Sequence, residues 1–297
     1  MIKVRVPATM ANVGPGFDCM GMALGLYNYV EVEETDQGLT VENTGLDHDR
    51  LSSDENNLVV HSMRRLFNQI GWEPKGMRVR VTTGIPVSRG LGSSAACIVG
   101  GLAAANELSG GNMDTQQLLD LAVEIEGHPD NVAPALMGGV VISSYDNAST
   151  DFVRFPIPDE IECLTAIPEI TLSTREARSV LPKSVSFSDA VYNVGKTALL
   201  VAALMQQKYE VLDKALGDRL HQQYRSRLVP SLDFIYQNAQ KKDLAAMLIS
   251  GSGPTLIYLL WPQSRPRQNE FLDLIRQTPE HWDIEVLKGD NEGVLII

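Results

Sequence analysis

The chain has 297 residues, and its apolar fraction of 44% is ordinary for a globular protein that buries a sizeable core. Its formal net charge of −12 and pI near 4.9 argue against binding to nucleic acid or to an anionic membrane surface, because both require a basic face. The three cysteines, Cys19, Cys97 and Cys163, are far apart in sequence and predict neither a disulfide framework nor a zinc site.

The first half of the chain is predicted to be rich in strands. Alternation of apolar and polar residues predicts antiparallel strands over residues 2–6, 27–34 and 77–83. The amino terminus lacks the apolar core of a signal peptide, and no apolar run reaches the roughly 18 residues that span a bilayer. We therefore expect a cytoplasmic protein with small-molecule partners and no membrane segment.

Helices are predicted between these strands. Helical spacing follows Asn56, follows Ser93 and runs over residues 115–127, and a further strand is expected from Met137. The polar, proline-bearing stretch 145–160 then predicts a domain boundary near Asn147, dividing the chain into residues 1–147 and 148–297.

The second half also mixes strands and helices. Strands are predicted over residues 163–169, 253–260 and 293–297, and long helices over residues 186–207 and 211–229. Both halves are therefore expected to be α+β.

The stretch RGLGSSAACIVGGLAAANEL, residues 89–108, is the first passage that suggests a binding site. Gly90 and Gly92 allow a tight turn, and Ser93 and Ser94 stand where a helix begins. The first backbone N–H groups of a helix have no intrahelical partner and favour an anion, so the loop predicts a phosphate site. It is not a Walker A loop, because no lysine follows the glycines, and an ordinary serine-capped helix start is the alternative.

Three further passages concentrate glycines and polar side chains. Residues 6–24 place Gly14-Pro15-Gly16 beside Asn12 and Asp18, residues 126–134 read EGHPDNVAP, and residues 250–255 read SGSGPT. Taken singly, each also fits a structural turn, a capped helix end or a hairpin loop.

Taken together and in this order, the four motifs resemble those of the GHMP small-molecule kinases, and look most like those of members that phosphorylate homoserine in threonine biosynthesis. The resemblance implies a two-domain α+β fold, with a ribosomal-protein S5-like amino-terminal domain and a ferredoxin-like carboxy-terminal domain. It places the active site between the domains. It also implies ATP, Mg²⁺, homoserine as the acceptor and a homodimer.

By this resemblance, one set of residues binds the nucleotide: Asn57, Pro86, Gly90, Leu91, Gly92, Ser93, Ser94, Ala95 and Ala96. Mg²⁺ prefers oxygen ligands, which are expected from the Ser94 hydroxyl and from an acid of the predicted helix that precedes His128. Glu124 is preferred for that acid, with Glu126 as the alternative.

The residues expected to bind substrate must contact three groups of homoserine: its carboxylate, its ammonium group and its reacting hydroxyl. They are Asn12, Asp18, His128, Asn131, Arg178 and Arg225. Arginine suits the carboxylate because its guanidinium binds in a two-pronged fashion, and Arg175 and Arg227 are the fallback choices. Asp18, Asn131 and Thr174 are expected near the transferred phosphoryl group. A general base is not obvious unless Asp18 reaches the hydroxyl, so alignment and charge stabilisation are expected to dominate catalysis.

Two alternatives stay open on sequence alone. One is another GHMP kinase acting on mevalonate, a sugar or shikimate, for which two arginines would be a poor match. The other is a catalytically silent ATP-binding sensor, which would be expected to lack a loop serine or the magnesium acid.

Overall fold

The structure is a computed structural model that describes residues 1–146 and 149–297. The predicted domain boundary at residues 147 and 148 lies outside the described residues. The strands in chain order are β1 (Ile2–Ala11), β2 (Met20–Glu34), β3 (Gly38–Gly45), β4 (Gly76–Thr83), β5 (Val140–Tyr145), β6 (Thr150–Phe155), β7 (Glu162–Pro168), β8 (Met247–Ile249), β9 (Leu256–Leu260), β10 (Trp282–Lys288) and β11 (Leu295–Ile296).

The helices occur in both halves of the described chain. In chain order they are α1 (Leu58–Ile70), α2 (Ser93–Leu108), α3 (Thr115–Glu126), α4 (Pro129–Met137), α5 (Thr174–Ser179), α6 (Phe187–Met205), α7 (Leu212–Ala215), α8 (Gln222–Arg225), α9 (Pro230–Lys241) and α10 (Gln268–Arg276). Among the described residues, no helix combines the length and apolar content needed to cross a membrane.

The first sheet joins strands from both ends of the described chain. Its main order is β11-β1-β2-β4-β3, and the long strand β2 also pairs with β5, which pairs with β6. Only the β3–β4 pair is parallel among the described pairs of this sheet. Strands β6 and β11 follow the predicted boundary in sequence, yet both extend the first sheet.

Helix α2 packs directly on β1 and β2 because its residues are small. A Cβ atom on Gly100 would lie 2.8 Å from a Val30 methyl, and one on Gly101 would lie 2.5 Å from the Val59 carbonyl oxygen of α1. Close packing by these glycines fixes the position at which the amino terminus of α2 enters the site.

The second sheet is antiparallel, in the order β10-β7-β9-β8. Its interior strand β9 is buried along its whole length. The α+β class expected for both halves is confirmed.

The prediction of a long helix over residues 211–229 is wrong. Residues 211–229 form short turns and the four-residue helices α7 and α8 instead of one helix. The Asp218 carboxylate accepts hydrogen bonds from the backbone N–H groups of Leu220, His221 and Gln222, at 2.9, 3.0 and 2.8 Å. An aspartate that captures nearby N–H groups competes with the helical pattern and breaks it.

Candidate active site

A cavity of about 290 Å³ lies between the two halves of the molecule. It brings together most of the residues predicted for the site: Asn12, Asp18, Gly90, Gly92, Ser93, Ser94, Glu126, His128, Asn131, Thr174, Arg178 and Arg225. Thr174 is exposed and is the first residue of α5. The four sequence motifs therefore meet at one site.

The glycine-rich loop is shaped by two residues with positive φ. Gly92, φ 72°, precedes α2, and a Cβ there would lie 2.0 Å from the Thr9 hydroxyl oxygen. Gly90, φ 76°, would place a Cβ 2.3 Å from the Ser250 carbonyl oxygen. Both positions therefore require glycine. The loop turns the amino terminus of α2 toward the cavity, where unpaired helix N–H groups favour an anion.

Three predicted loop residues lie beneath the loop rather than in the cavity wall. Leu91, Ala95 and Ala96 are fully buried in the core and do not line the cavity. They support the loop by packing, because apolar burial is what fixes its base.

The two candidate magnesium acids lie in different surroundings. Glu126 lines the cavity and accepts a 2.8 Å hydrogen bond from the Ser94 hydroxyl. Glu124 lies outside the cavity lining, and pairs at 2.5 Å with Arg65 on the exposed surface. The order of preference is therefore reversed in favour of Glu126. Burial raises the pKa of Glu126, and the charge of His128 and the Ser94 hydroxyl oppose that shift.

Asp18 and Arg178 form a two-pronged ion pair across the cavity. The guanidinium nitrogens of Arg178 donate to the two carboxylate oxygens at 2.9 and 2.8 Å. The hydrogen bonds that Arg178 donates to Asp18 raise the pKa of Arg178. Asn12 and Asp18 both have positive φ, 67° and 55°, and the Asn12 side chain accepts from the Asp18 backbone N–H at 3.0 Å. The loop between them thus presents an acid that an arginine of the second half neutralises.

Arg225 is almost fully buried and approaches the same place from another element. It donates to the Gly251 carbonyl at 2.7 Å, and its guanidinium lies 5.1 Å from the centre of the Phe17 ring. Burial, together with the charge of Arg178, lowers the pKa of Arg225 to about 10, so it stays charged at neutral pH. A buried cation beside a second arginine marks a place where an anion is stabilised.

His128 and Asn131 are positioned by neighbours of α4 and β1. The Nδ1 atom of His128 is 2.5 Å from an Asp130 carboxylate oxygen, and Asn131 accepts from the Thr9 hydroxyl at 2.8 Å. Burial alone would lower the pKa of His128, but the hydrogen bond and charge of Asp130 outweigh it and raise that pKa. Both side chains line the cavity between the glycine-rich loop and Asp18.

Asn57 and Pro86, both predicted to contact nucleotide, do not line this cavity. Asn57 is buried and caps α1, its side-chain oxygen accepting from the Val59 N–H at 3.0 Å. Its amide nitrogen donates to the Ser52 carbonyl at 2.7 Å. The neighbouring Leu58 lines the cavity instead.

Sequence reasoning missed several groups that shape the site. Arg89 lines the cavity and bonds Asp47 at 2.9 Å and the Pro168 carbonyl at 2.8 Å, tying the loop to β7. The Gly251 carbonyl accepts from both Asn12 and Arg225. The SGSGPT motif signalled this second loop, whereas no sequence pattern identifies a particular carbonyl as an acceptor.

A family model described as "GHMP kinases N terminal domain" matches residues 57–139, and one described as "GHMP kinases C terminal" matches residues 200–269. The chain is 42% identical to a homoserine kinase of Clostridium botulinum (strain ATCC 19397 / Type A) over 296 residues, covering 100% of this chain and 98% of that protein. It is 43% identical to a homoserine kinase of Caldicellulosiruptor saccharolyticus, covering 100% and 96%.

The crystal structure of homoserine kinase from Cytophaga hutchinsonii superposes with a TM-score of 0.88 at 32% identity, covering 100% of this chain and 97% of that one. The two-domain fold and the glycine-rich loop are those of a small-molecule kinase. The chain belongs to the homoserine kinase family of the GHMP kinases. The resemblance inferred from the four motifs is confirmed.

Proposed function

We propose that this protein transfers the γ-phosphoryl group of ATP to the side-chain hydroxyl of L-homoserine, forming O-phospho-L-homoserine and ADP. One observation carries the proposal. The anion-binding start of α2 and the Asp18–Arg178 pair line one cavity. A phosphate site therefore adjoins a site with one acidic and one basic side chain. The full-length similarity to homoserine kinases supports this acceptor over mevalonate, sugars and shikimate, and over a silent sensor.

The amino-acid end of the cavity fits a zwitterion. Asp18 suits the substrate ammonium, while Arg178 and Arg225 suit its carboxylate. A bound zwitterion would replace both halves of the Asp18–Arg178 pair, leaving neither charge without a partner. A neutral sugar offers no such exchange and would gain no charge-assisted hydrogen bond for a carboxylate from the arginines.

At the nucleotide end, Gly90, Gly92, Ser93 and Ser94 form the proposed phosphate cradle at the start of α2. The Ser94 hydroxyl and the Glu126 carboxylate are the oxygen atoms suited to hold Mg²⁺. When bound, the ion would neutralise charge on the phosphate oxygens. Thr174, at the start of α5, and Asn131 are the proposed neighbours of the transferred group.

Catalysis is proposed to rest on alignment and charge stabilisation. With substrate bound, Asp18 would pair with the ammonium group, and His128 is already bound to Asp130, so neither is a free base. A loose phosphoryl-transfer transition state allows the hydroxyl proton to leave late, to a phosphate oxygen.

The wider setting follows from the same proposal. We place the reaction in threonine biosynthesis in the cytoplasm, and expect a homodimer of two-domain subunits divided near residues 147 and 148. Similarity to homoserine kinases along the whole chain supports the pathway.

The test is an ADP-release assay with purified protein, ATP and Mg²⁺, run separately with homoserine, mevalonate, galactose and shikimate. ADP release with homoserine alone, and O-phosphohomoserine identified by mass spectrometry, is the expected result. Faster ADP release with any other acceptor, or none with all four, would contradict the proposal.

A further inference from the structure

A buried histidine, His221, lies directly behind the cavity residue Arg225. The backbone N–H of Arg225 donates to the His221 carbonyl at 3.0 Å, as in a helical turn, so the two side chains lie on the same side of that turn. Asp218 fixes the turn by accepting from the His221 backbone N–H at 3.0 Å. His221 is fully buried and does not line the cavity, whereas Arg225 does. His221 can therefore act on a ligand only through its neighbours.

The contacts of the His221 ring determine its tautomer. Nε2 lies 2.8 Å from the Gly14 carbonyl oxygen, which can only accept, so Nε2 carries a proton. Nδ1 lies 3.4 Å from Nη1 of Arg225, which can only donate. Both contacts are satisfied only by a neutral ring with an unprotonated Nδ1. Burial lowers the pKa of His221, which favours that neutral ring.

The guanidinium nitrogens of Arg225 are divided between the protein and the cavity. Nη1 donates to the Gly251 carbonyl at 2.7 Å and faces Nδ1 of His221, and Nε donates to the Ala177 carbonyl at 3.4 Å. Nη2 has no hydrogen-bond partner within the described part of the chain. Because Arg225 lines the cavity, Nη2 is the nitrogen that remains for an anion.

We infer that His221 is a positioning residue for substrate binding: its neutral Nδ1 accepts from Arg225 and orients the guanidinium so that Nη2 faces the homoserine carboxylate. The inference rests on the proposed function, because it takes homoserine as the ligand. The ring is itself held by Gly14 and by stacking on Phe17, with ring centres 5.3 Å apart. A guanidinium held by fixed acceptors loses less freedom when a carboxylate binds.

A neutral acceptor suits this position because positive charge is already concentrated there. Burial and then the charge of Arg178 lower the pKa of Arg225 to about 10. The nearby carboxylates of Asp18 and Asp218 already accept from other groups. A protonated His221 would add a third cation and turn an N–H toward Nη1 of Arg225. The neutral ring holds the guanidinium without that repulsion.

Two substitutions separate the roles of the two ring nitrogens. In His221→Asn the side-chain oxygen can take the place of Nδ1 and accept from Arg225. In His221→Gln the amide nitrogen can take the place of Nε2 and donate to Gly14. His221→Gln should raise KM for homoserine about tenfold, because a hydrogen bond from a charged group is lost, and His221→Asn should raise it less than about threefold.

Initial-rate kinetics and urea denaturation are measured on both variants. KM for ATP should stay within about twofold of wild type in each, since the effect is confined to the amino-acid end. His281→Gln, at the exposed surface, is the control and should keep both KM values. A purely structural role would make KM for homoserine follow the loss of stability. Equal rises in the two variants, or a larger rise in His221→Asn, would overturn the inference.

A second measurement uses the wild-type protein and does not depend on the folding of a variant. Nitrogen-15 NMR of histidine-labelled protein at pH 7 should show the His221 ring neutral, with its proton on Nε2. A proton on Nδ1, or a doubly protonated ring, would overturn the inference. The tautomer is measured without substrate, so the expected tautomer in a protein that releases no ADP with homoserine would contradict the proposed function and not the contact between His221 and Arg225.

Discussion

At the scale of single residues, the two glutamates at the end of α3 show how finely position decides a role. Glu124 and Glu126 are two positions apart, which on a helix directs their side chains to nearly opposite sides. One meets Arg65 at the surface, and the other meets Ser94 at the cavity.

Glu126→Gln should lower kcat by at least about tenfold and raise the Mg²⁺ concentration needed for half-maximal rate, because a carboxylate ligand is lost. Glu124→Gln is the matched control and should change either quantity by less than about twofold, since exposed ion pairs contribute little. The measurement is a Mg²⁺ titration of the ADP-release rate. Equal Mg²⁺ requirements in the two variants would contradict the assignment of Glu126.

Arginine geometry gives a second prediction at this scale. Arg178→Lys should raise KM for homoserine about ten- to a hundredfold, equivalent to about 1.4–2.8 kcal/mol, because lysine cannot form two parallel bonds to a carboxylate. KM for ATP should change far less. Arg175→Lys is the control, since Arg175 is exposed and lies outside the cavity lining. A rise in KM for ATP alone would indicate that Arg178 binds the nucleotide and not the homoserine carboxylate.

At the scale of elements, the start of α1 separates a structural residue from a contact residue. Asn57 caps the helix, and the adjacent Leu58 lines the cavity. Asn57→Ala should therefore lower the free energy of unfolding by about 1–2 kcal/mol, the loss typical of a helix cap. Its KM for ATP should stay within about twofold of wild type.

Leu58→Ala is the matched comparison and should raise KM for ATP. Chemical denaturation and initial-rate kinetics on both variants measure the two effects. If Asn57→Ala changed KM for ATP without changing stability, the original assignment of Asn57 to the nucleotide would stand.

Local signals in the sequence predicted the elements whose form depends on local residues. The glycines and serines of residues 89–96 predicted the loop before α2, and the spacing of apolar residues predicted α3 and α6. Residues 211–229 failed because Asp218 captures backbone N–H groups, an effect that periodicity does not detect. The sequence could not show that Asn57 caps α1 or that Glu124 pairs with Arg65, because a capping amide and a ligand, or a surface acid and a metal acid, are the same residue types until the chain is folded.

At the scale of the whole molecule, His221 joins the two halves behind the site. Its Nε2 donates to the Gly14 carbonyl at 2.8 Å, and its ring stacks on Phe17. Burial lowers the pKa of His221, although Asp218, 3.7 Å away, opposes the shift and Arg225 reinforces it. The folded protein therefore keeps this ring neutral, while the unfolded chain binds a proton near pH 6.5.

A depressed pKa in the folded state means that stability from this group is present above pH 6.5 and is lost as pH falls. The contribution of His221 should thus lower the free energy of unfolding between pH 7 and pH 5, and His221→Gln should lose less stability than wild type over that range. Urea denaturation at several pH values measures it. His281→Gln, at the exposed surface, is the control and should keep the wild-type slope. An unchanged slope in His221→Gln would contradict the account.

The loop of residues 250–255 has a consequence for how the two ligands affect each other. Ser250 donates to the Gly90 carbonyl at 2.6 Å, and the Gly251 carbonyl accepts from Asn12 and Arg225 at 3.0 and 2.7 Å. One short piece of backbone thus braces both the proposed nucleotide loop and the proposed amino-acid end.

Ligands that order the same support favour each other's binding, and the benefit is reciprocal by thermodynamic necessity. Calorimetry should therefore find that a non-hydrolysable ATP analogue tightens homoserine binding, and that homoserine tightens binding of the analogue by the same factor. If the affinity for each ligand were the same with and without the other, the shared backbone would act as a rigid frame. The two ends of the cavity would then not be energetically coupled.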